Sequence, residues 1–435
     1  MKNRKLIGEL KKEIGNYVNI AGWVDKLRDL KKMQFLILRD HTGFVQTSNF
    51  KDGKSLDDII SSLSMDTTVF AGGNLVENPK VKLNGYEIQL DYIDVQSRPE
   101  GALPITQESN IDNRLDWRYI DLREPKKHLI FKIQTTAEHA MRSFWLQNGF
   151  TEIHSPKLVE GASESGAELF KLDYFGQEAS LAQSPQFYKQ MAMAAGFDRV
   201  FEIGPVFRAN PSFTSRHDTE FTSVDMEISW IKSHEDVMVI EENWINYFMS
   251  EVAAKHGEEI LKNYGLETKV PTLPFPRVTM EEAYRILESQ GYQVPREHKG
   301  DLDPEGEKRL AKHVKDTFNH DFVFVTEYPA KARPFYHMRF EDRPDITKSF
   351  DLIWKGIEVT TGAQREHRYN KLLEQIHEKG TDPNSISSYV NFFKYGCPPH
   401  GGLGFGLTRM LMNLTGLNNV REVTFVYRGP NRLKP

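Results

Sequence analysis

The chain has a single cysteine, Cys397, and no long uninterrupted apolar run among its 435 residues. One cysteine excludes an internal disulfide and indicates a reducing compartment. No apolar stretch approaches the ~20 residues that a membrane span needs, and residues 1–15 lack the apolar core of a signal peptide. We therefore expect a cytoplasmic protein without a membrane contact.

The chain also lacks a strong excess of either charge, with a formal net charge of −5, 27% charged residues and 39% hydrophobic residues. These proportions are ordinary for a folded protein of about two or three domains. A nucleic-acid partner is not indicated by the total charge. Residues 1–32, however, carry nine Lys or Arg against four acidic residues. This basic segment predicts either a local nucleic-acid contact or a solvated helix.

Neither common nucleotide fingerprint, GxxxxGK[ST] or GxGxxG, occurs in the chain. Instead, Arg208, Arg216 and His217 lie close to Phe221 in the segment FRANPSFTSRHDTEF. The flanking alternation of large and small residues predicts two antiparallel strands joined by a polar loop. Cations suit a polyphosphate and an aromatic face suits a purine, although a solvated surface hairpin fits the same pattern.

A second element lies near the C-terminus, where GGLGFGLTRM (401–410) leads into an amphipathic stretch. We expect the glycine run to open a helix that bears Arg409 in its first turns. Glycine allows close backbone approach to a ligand, and a helix N-terminus favours an anion.

Several segments together resemble the class II aminoacyl-tRNA synthetases. They are the two above together with GFTEIHSPKL, SESGAELF, QSPQFYKQ, FDLIWKGIEVTTGAQREH and REVTFVYRGPNRLKP. The resemblance is to the aspartyl-tRNA synthetases of archaeal and eukaryotic type and covers essentially the whole chain. Two rival interpretations are an asparaginyl enzyme and a non-charging RNA-binding paralogue. The presence of Arg208, Arg409 and Glu358 argues against the second.

The expected fold is α+β with two domains. Short strands over residues 16–98, with DDIISSL between them, predict an N-terminal OB-fold β-barrel at 1–100. Residues 101–126 have the composition of a hinge. The resemblance implies a class II antiparallel-sheet catalytic domain at 127–435, and the composition of 255–325 suggests a small insertion within it.

The resemblance implies that ATP activates aspartate with Mg²⁺ present. Arg208 would hold the α-phosphate, Arg409 and His217 would hold the distal phosphates, and Phe221 would stack on adenine. Arg216 is also expected to bind ATP. The expected catalytic residues are Arg208, Arg409 and Glu358. The metal ligands would be Asp351, Glu358 and Thr361, since oxygen ligands suit this ion. Asp351 and Glu358 are seven residues apart, on opposite faces of one strand unless Lys355-Gly356 forms a turn.

For the amino acid, the resemblance implies that Lys189 and Arg365 bind the side-chain carboxylate. Glu164 and Asp225 would bind the ammonium, with Ser184 and Gln186 lining the pocket. Asparaginyl relatives usually place Glu where this chain has Gln190. Aspartate is therefore the expected substrate.

For tRNA, the resemblance implies an anticodon contact. Phe35 would stack on a base and Gln46 and Glu87 would read base edges, with Arg28 beside them. From the residues alone, Phe35 is better explained as a core residue. Asp25 stands where archaeal relatives often have an aromatic residue, so we expect tRNA(Asp) and, by relaxed reading, tRNA(Asn) as partners.

The resemblance also implies a homodimer through the helix that follows Lys127. Apolar residues recur along this helix at Ile130, Ile133, Ala137, Ala140 and Phe144. The same periodicity fits a plain core helix. Two departures from the family pattern are Asn210, where most relatives carry Glu, and Ser165, where Gly is common.

Overall fold

The computed structural model describes residues 3–53, 55–160, 168–211 and 214–435. The chain divides into two compact units, Met1–His128 and Leu129–Pro435. The strands of the first unit are β1 (Tyr17–Asp29), β2 (Met33–Asp40), β3 (Gly43–Phe50), β4 (Thr68–Glu77) and β5 (Tyr86–Ser97). Its helices are α1 (Ser55–Ser61), α2 (Ile111–Asp116) and α3 (Arg118–Asp121), and α4 (Pro125–Gln147) continues into the second unit.

The strands and helices of the second unit follow in chain order. Its strands are β6 (Thr151–Glu152), β7 (Leu158–Glu160), β8 (Lys171–Tyr174), β9 (Gln177–Leu181), β10 (Arg199–Phe207), β11 (Glu220–Ser229), β12 (Arg277–Thr279), β13 (Phe322–Thr326), β14 (Ser349–Trp354), β15 (Ile357–Gln364) and β16 (His400–Gly406). Its helices are α5 (Gln186–Ala194), α6 (His234–Tyr264), α7 (Met280–Ser289), α8 (Pro304–Phe318), α9 (Tyr369–Glu378), α10 (Ser387–Lys394), α11 (Leu407–Thr415) and α12 (Val420–Val423).

The first unit contains a closed barrel with strand order β1-β2-β3-β5-β4. Along β2, buried and half-buried residues alternate without a break, so Leu36 and Leu38 enter the barrel core while Phe35 faces outward. Helix α1 lies between β3 and β4 in the chain. The predicted OB-fold barrel is confirmed, and the core alternative for Phe35 is wrong.

The segment after the barrel is more ordered than its hinge-like composition suggested. Residues 111–121 form α2 and α3. Arg118 is buried, and its Nη1 donates to Asp121 Oδ2 at 2.5 Å. A buried charge of this kind is stable only when paired. The prolines and polar residues of this segment therefore gave no indication of the two short helices. The second of them, α3, contains the internal ion pair.

The second unit is built on a sheet of order β12-β13-β14-β15-β16-β11-β10-β6. Neighbouring strands pair antiparallel along the central part of the sheet, β13-β14-β15-β16-β11-β10. Helix α6 packs behind β15 and β16. There Trp244 stacks on Trp145 of α4 with ring centroids 4.8 Å apart. The antiparallel catalytic sheet predicted from the resemblance is confirmed.

Residues 255–325 are not simply an insertion. They include the end of α6 and two strands of the main sheet, β12 and β13, with α7 and α8 between these strands. Strand β13 is buried along its length, as the apolar run Phe322–Val325 requires. The part between β12 and β13 lies outside the sheet, as do the end of α6 and the segment that joins it to β12.

The two sequence elements that suggested a nucleotide site have different outcomes. Strands β10 and β11 pair antiparallel, as predicted for the arginine-bearing hairpin. The glycine run was expected to form a helix start but is instead strand β16, and α11 begins only at Leu407. The sheet needs these glycines because a Cβ at Gly402 would lie 2.1 Å from Met226 O.

Four of the five apolar residues predicted to recur along α4, Ile130, Ile133, Ala137 and Ala140, are buried, as the plain core-helix alternative requires. Phe144 is half-buried, and Leu146 of the same helix is exposed. Within the described residues, no helix is both long enough and apolar enough to cross a membrane.

Helix α6 carries Glu241 in the core with both carboxylate oxygens unpaired among the described residues. Burial raises the pKa of Glu241 to about 8, whereas the unfolded chain ionises it near ~4.3. Between these values the folded protein holds the extra proton, so stability falls as pH rises. We expect Glu241→Gln to gain at least ~1 kcal/mol relative to the parent between pH 5 and pH 8.

The measurement for Glu241 is urea unfolding of parent and variant across this pH range. Glu251→Gln is the matched control, because Glu251 lies on the same helix and is exposed. A constant difference between Glu241→Gln and parent at all pH values would contradict the assignment.

Candidate active site

A cavity of about 450 Å³ lies on the exposed face of the central strands in the second unit. It is lined from β11, β15, β16, the starts of α5 and α11, the segment between β10 and β11, and the segment around Arg333–His337. The lining includes eleven of the predicted site residues. They are Ser184, Gln186, Arg208, Arg216, His217, Phe221, Asp225, Glu358, Thr361, Arg365 and Arg409.

Arg208 and Phe221 form one wall. Arg208 ends the hairpin strand, with its N–H donating to Thr219 O at 2.9 Å, and its guanidinium lies 5.4 Å from the Phe221 ring centroid. Arg409, from the first turn of α11, donates through Nη1 to Glu358 O at 2.7 Å. Two arginines from different elements thus face one space beside an aromatic ring.

His217 lies among these arginines. Burial lowers the pKa of His217, and the charges of Arg409, Arg208 and Arg216 lower it further. The imidazole is therefore neutral near pH 7, and its Nδ1 is hydrogen-bonded to Thr214 Oγ1. A polyphosphate entering the cavity would meet the positive potential that keeps this proton off.

Arg216 is held by a residue that sequence reasoning missed. Its Nη1 donates to Glu307 Oε2 at 2.9 Å and its Nη2 to Gly356 O at 3.2 Å. Burial and the charge of Glu358 raise the pKa of Glu307 to about 7, although Arg216 opposes the shift.

Asp218 is a second missed residue of the cavity. It is buried, and its Oδ2 has no hydrogen-bond partner within the described part of the chain. Burial raises the pKa of Asp218 to about 7, against the effect of Arg409 and Arg208. Its position between His217 and Thr219 gave no chemical signal of its own.

The predicted metal ligands lie on a hairpin. Lys355 and Gly356 have φ of 49° and 80°, so the chain turns between Asp351 on β14 and Glu358 on β15. Thr361 Oγ1 donates to Glu358 Oε1 at 3.0 Å. Burial opposes ionisation of Glu358, but Arg409, Thr361 and Arg333 together hold its pKa below the ordinary value. An ionised carboxylate therefore faces the cavity.

Asp351 is placed differently. Its Oδ2 accepts from Arg333 Nη2 at 2.5 Å, both side chains are buried, and Asp351 does not line the cavity. The described residues contain no group of three or more His, Cys, Asp or Glu side chains placed to hold a metal ion. A metal at Glu358 would thus need oxygens from a ligand.

The described charged residues that were predicted to bind aspartate form a buried cluster. Lys189 Nζ donates to Asp225 Oδ1 at 2.9 Å and lies 3.4 Å from Glu227 Oε2. Arg365 Nε donates to Glu227 Oε1 at 3.0 Å. Glu227 is fully buried, and despite this burial Arg365 and Lys189 hold its pKa below the ordinary value.

The cluster orders the cavity floor. Arg365 and Asp225 line the cavity, whereas Lys189 lies behind them with its second bond to Leu403 O at 2.9 Å. Gly402 makes room for Glu227, because a Cβ there would lie 2.2 Å from Glu227 Oε2. Sequence reasoning missed Glu227, which joins both predicted cations.

His337 supports Arg365 from the other side. Burial, together with the charge of Arg365, keeps the pKa of His337 well below its ordinary value. The neutral ring can therefore accept at Nε2 from Arg365 Nη1, at 3.1 Å. A protonated ring could not accept this bond.

Three further predictions concern α5 and the preceding loop. Gln186 N donates to Ser184 Oγ at 3.0 Å, which places both residues at the cavity. Gln190 lies in a buried network in which its Oε1 accepts from Gln186 and Tyr389. Glu164 and Ser165 fall outside the described residues, and Asn210 lines the cavity.

The barrel of the first unit has its own groove of about 700 Å³. Arg28, Phe35 and Gln46 line it, and Arg28 and Phe35 are cross-strand neighbours. Gln46 Nε2 donates to Glu87 Oε2 at 2.7 Å. Arg28, Phe35 and Gln46 therefore line one groove together with Lys26 and Lys80. Glu87 is buried and does not line the groove, so it is placed behind Gln46 and not where it was predicted to read a base edge.

Asp25 does not line this groove. It lies at a β-bulge between Val24 and Lys26, and its Oδ1 is 3.5 Å from Arg39 Nε in a separate cavity of the first unit. A bulge re-aims one side chain relative to its neighbours.

Residues 110–427 match the family described as tRNA synthetases class II (D, K and N), and residues 18–95 match the OB-fold nucleic acid binding domain. The first match covers well over half of the chain. The chain therefore belongs to the class II tRNA synthetases of the D, K and N group.

The curated relatives are aspartate ligases. The aspartate--tRNA(Asp) ligase of Pyrococcus furiosus is 42% identical, covering 97% of this chain and 97% of its own. The aspartate--tRNA(Asp/Asn) ligase of Aeropyrum pernix is 40% identical, covering 97% and 96%. The aspartate--tRNA(Asp/Asn) ligase of Methanopyrus kandleri is 42% identical, covering 97% of this chain and 96% of its own. The resemblance to the aspartyl type is confirmed.

Solved structures give the same fold. Asparaginyl-tRNA synthetase from Pyrococcus horikoshii, complexed with asparaginyl-adenylate, has a TM-score of 0.91 at 32% identity, covering all of both chains. A putative aspartyl-tRNA synthetase from Leishmania major has a TM-score of 0.88 at 30% identity, covering 100% of this chain and 96% of its own. Because both types share the fold, side chains must decide the amino acid.

Proposed function

We propose that this chain activates aspartate with ATP to form aspartyl-adenylate and transfers the aspartyl group to tRNA. The aspartate ligases that cover nearly all of it support this assignment. The observation that carries it is the buried cluster of Lys189, Arg365, Asp225 and Glu227.

The four charges of this cluster complement aspartate. Asp225 lines the cavity and suits an ammonium, while Arg365 lines it and suits a side-chain carboxylate. Lys189 pairs with Asp225 in the structure. We infer that bound aspartate takes the place of this pairing, its ammonium on Asp225 and its carboxylate on Arg365 with Lys189 behind. Asparagine would leave the cations with only a neutral amide.

ATP would occupy the space between Phe221 and the arginines. Arg208 and Arg409 would neutralise phosphate charge, and the neutral His217 would donate a hydrogen bond to a phosphate oxygen. Contacts already present hold the backbone of Arg208 and the side chains of Arg409 and His217. Activation by carboxylate attack on the α-phosphate needs mainly positioning and charge neutralisation.

Mg²⁺ is part of this proposal. Glu358 and Thr361 offer oxygen at the cavity, and Mg²⁺ is commonly held by one or two carboxylates together with substrate phosphates. Asp351 would contribute from behind only if it shared its bond with Arg333. Bound Mg²⁺ would neutralise charge on the phosphates.

Homodimer assembly is inferred from the family resemblance, and a cytoplasmic location from the single cysteine, which indicates a reducing compartment. Since most of the apolar stripe of α4 is already buried in the chain, a partner would contact other residues of this helix.

The test is aspartate-dependent exchange of pyrophosphate into ATP, with asparagine compared at equal concentration. We expect exchange with aspartate and less than about a hundredth of that rate with asparagine, since the site reads charge as well as shape. Comparable exchange with asparagine would support the asparaginyl alternative, and exchange with neither would support a non-charging paralogue.

We further propose that both tRNA(Asp) and tRNA(Asn) are charged. Their anticodons, GUC and GUU, differ only at the third base, and Asp25, which lies beside Arg39 outside the groove, gives the groove no aromatic face. Relatives of both specificities are about equally similar. Charging of the two purified tRNAs with labelled aspartate tests this, and a preference above about a hundredfold for tRNA(Asp) would refute it.

Phe35→Ala is expected to weaken tRNA charging by about ten- to a hundredfold, because stacking on an aromatic contributes ~1–3 kcal/mol per base. Exchange without tRNA should be unchanged, since the ATP cavity is lined only from the second unit. Phe50→Ala is the control, because Phe50 is exposed on the same barrel but does not line the groove. Undiminished charging by a folded Phe35→Ala protein would remove the stacking role.

A further inference from the structure

Helix α8 supplies one carboxylate, Glu307, to the edge of the ATP cavity. The helix begins with Asp303 as its N-cap, whose side chain accepts from Gly306 N, and with Pro304 in its first turn. It lies directly against the β14–β15 turn, because a Cβ at Gly356 would be 2.9 Å from Lys308 Cα. The backbone that carries Glu307 is thus fixed against the hairpin that carries Glu358.

One oxygen of Glu307 joins two predicted site residues. Glu307 Oε2 accepts from Arg216 Nη1 at 2.9 Å and from Glu358 N at 3.3 Å. Arg216 Nη2 donates to Gly356 O at 3.2 Å. The side chains of Arg216 and Glu307 are only 16% and 11% exposed, so this is not a solvated surface pair. The guanidinium is therefore held at two points.

We propose that Glu307 is a positioning residue for the ATP-dependent step, acting through Arg216. The inference rests on the proposed function, since it assumes that ATP phosphates occupy the cavity. A guanidinium has five N–H donors, and the two described bonds leave donors to face a phosphate. Fixing a long, flexible side chain before the reaction removes an entropy cost from the charged step.

The proposal differs from the roles already assigned to the cavity. Glu307 does not bind a substrate group, and it lies in the part of the chain that the sequence marked only as a possible insertion. Its effect on catalysis should vanish once Arg216 is gone. A purely structural role of the α8 contact would persist without Arg216.

A double-mutant cycle on aspartate-dependent pyrophosphate exchange tests the proposal. Glu307→Gln is expected to lower kcat by about tenfold and Arg216→Ala by about a hundredfold. The double variant should lie within about twofold of Arg216→Ala, because residues that act through one contact are not additive. Multiplied effects in the double variant, or unchanged kcat in Glu307→Gln, would overturn the proposal.

Controls separate this result from other failures. Glu305→Gln changes an exposed carboxylate on the same helix that pairs with Arg309, and it should leave exchange unchanged. Lack of exchange by the parent protein would count against the proposed function itself, whereas an additive cycle in an active parent counts only against the role of Glu307. If thermal unfolding shows that Glu307→Gln does not fold, Glu307→Asp takes its place in both backgrounds with the same criteria.

Discussion

Replacement of Arg208 with alanine is expected to reduce aspartate-dependent exchange of pyrophosphate into ATP by about a hundredfold or more. Arg208 is fixed at the end of β10 by the bond from its N–H to Thr219 O, and its guanidinium faces the cavity beside Phe221. A preorganised charge of this kind stabilises the developing negative charge at the α-phosphate. Arg409 remains in the variant but approaches from α11, so it cannot replace the lost contact.

Arg199→Ala provides the matched control for Arg208. It lies at the other end of the same strand, where its guanidinium is 5.8 Å from the Phe150 ring centroid, and it does not line the cavity. We expect tRNA binding to persist in both variants, because the groove with Phe35 belongs to the barrel. Exchange by Arg208→Ala within about threefold of the parent would reject the assignment.

Much of the fold could be predicted because its signals are local. The alternation along β2 and the turn residues between strands were sufficient for the barrel. The glycine run 401–406 was assigned to the wrong element because its reason lies in a neighbouring strand. Position 402 of β16 requires glycine, because Met226 O and the Glu227 carboxylate occupy the space that a side chain would need. No local pattern within the run carries this information.

Part of the site could also be predicted, because some of its signals are local in the sequence. Arg208, Phe221 and Arg409 carry recognisable chemistry within short motifs, and the structure brings them to one cavity. Glu227 contacts Arg365 across 138 positions of sequence, and Glu307 contacts Arg216 across 91. Such partners become visible only when the chain is folded. A clue for Glu227 was present, since two buried cations on neighbouring elements require a buried anion.

The part that stayed obscure was the hairpin of Asp351 and Glu358. Strict alternation put them on opposite faces, and only the left-handed turn at Lys355-Gly356 brings their strands side by side. Even so, Asp351 pairs with Arg333 and does not line the cavity. Arg333 had no motif around it, although it is buried and lines the cavity.

The second large effect is expected for Arg365→Gln, which should lower kcat/KM for aspartate by about a thousandfold. The guanidinium is the cavity-lining partner for a carboxylate, and it also neutralises the buried Glu227. Removing one partner of a buried pair costs about 3–5 kcal/mol because an unpaired charge remains. The preference for aspartate over asparagine should fall as well, since a glutamine reads the two side chains by hydrogen bonds alone.

Arg368→Gln is the matched control for Arg365, because Arg368 lies three positions further on and pairs with Glu366 outside the cavity. Thermal unfolding must accompany the kinetics, since part of the cost will appear as lost stability. Arg365→Lys keeps the charge but not the fork that contacts Glu227, His337 and Gly402 O together, so we expect it to lose at least about tenfold in kcat/KM. If a folded Arg365→Gln protein kept kcat/KM within about tenfold of the parent and still preferred aspartate, Lys189 alone would have to select the substrate, and the cavity-lining role of Arg365 would be wrong.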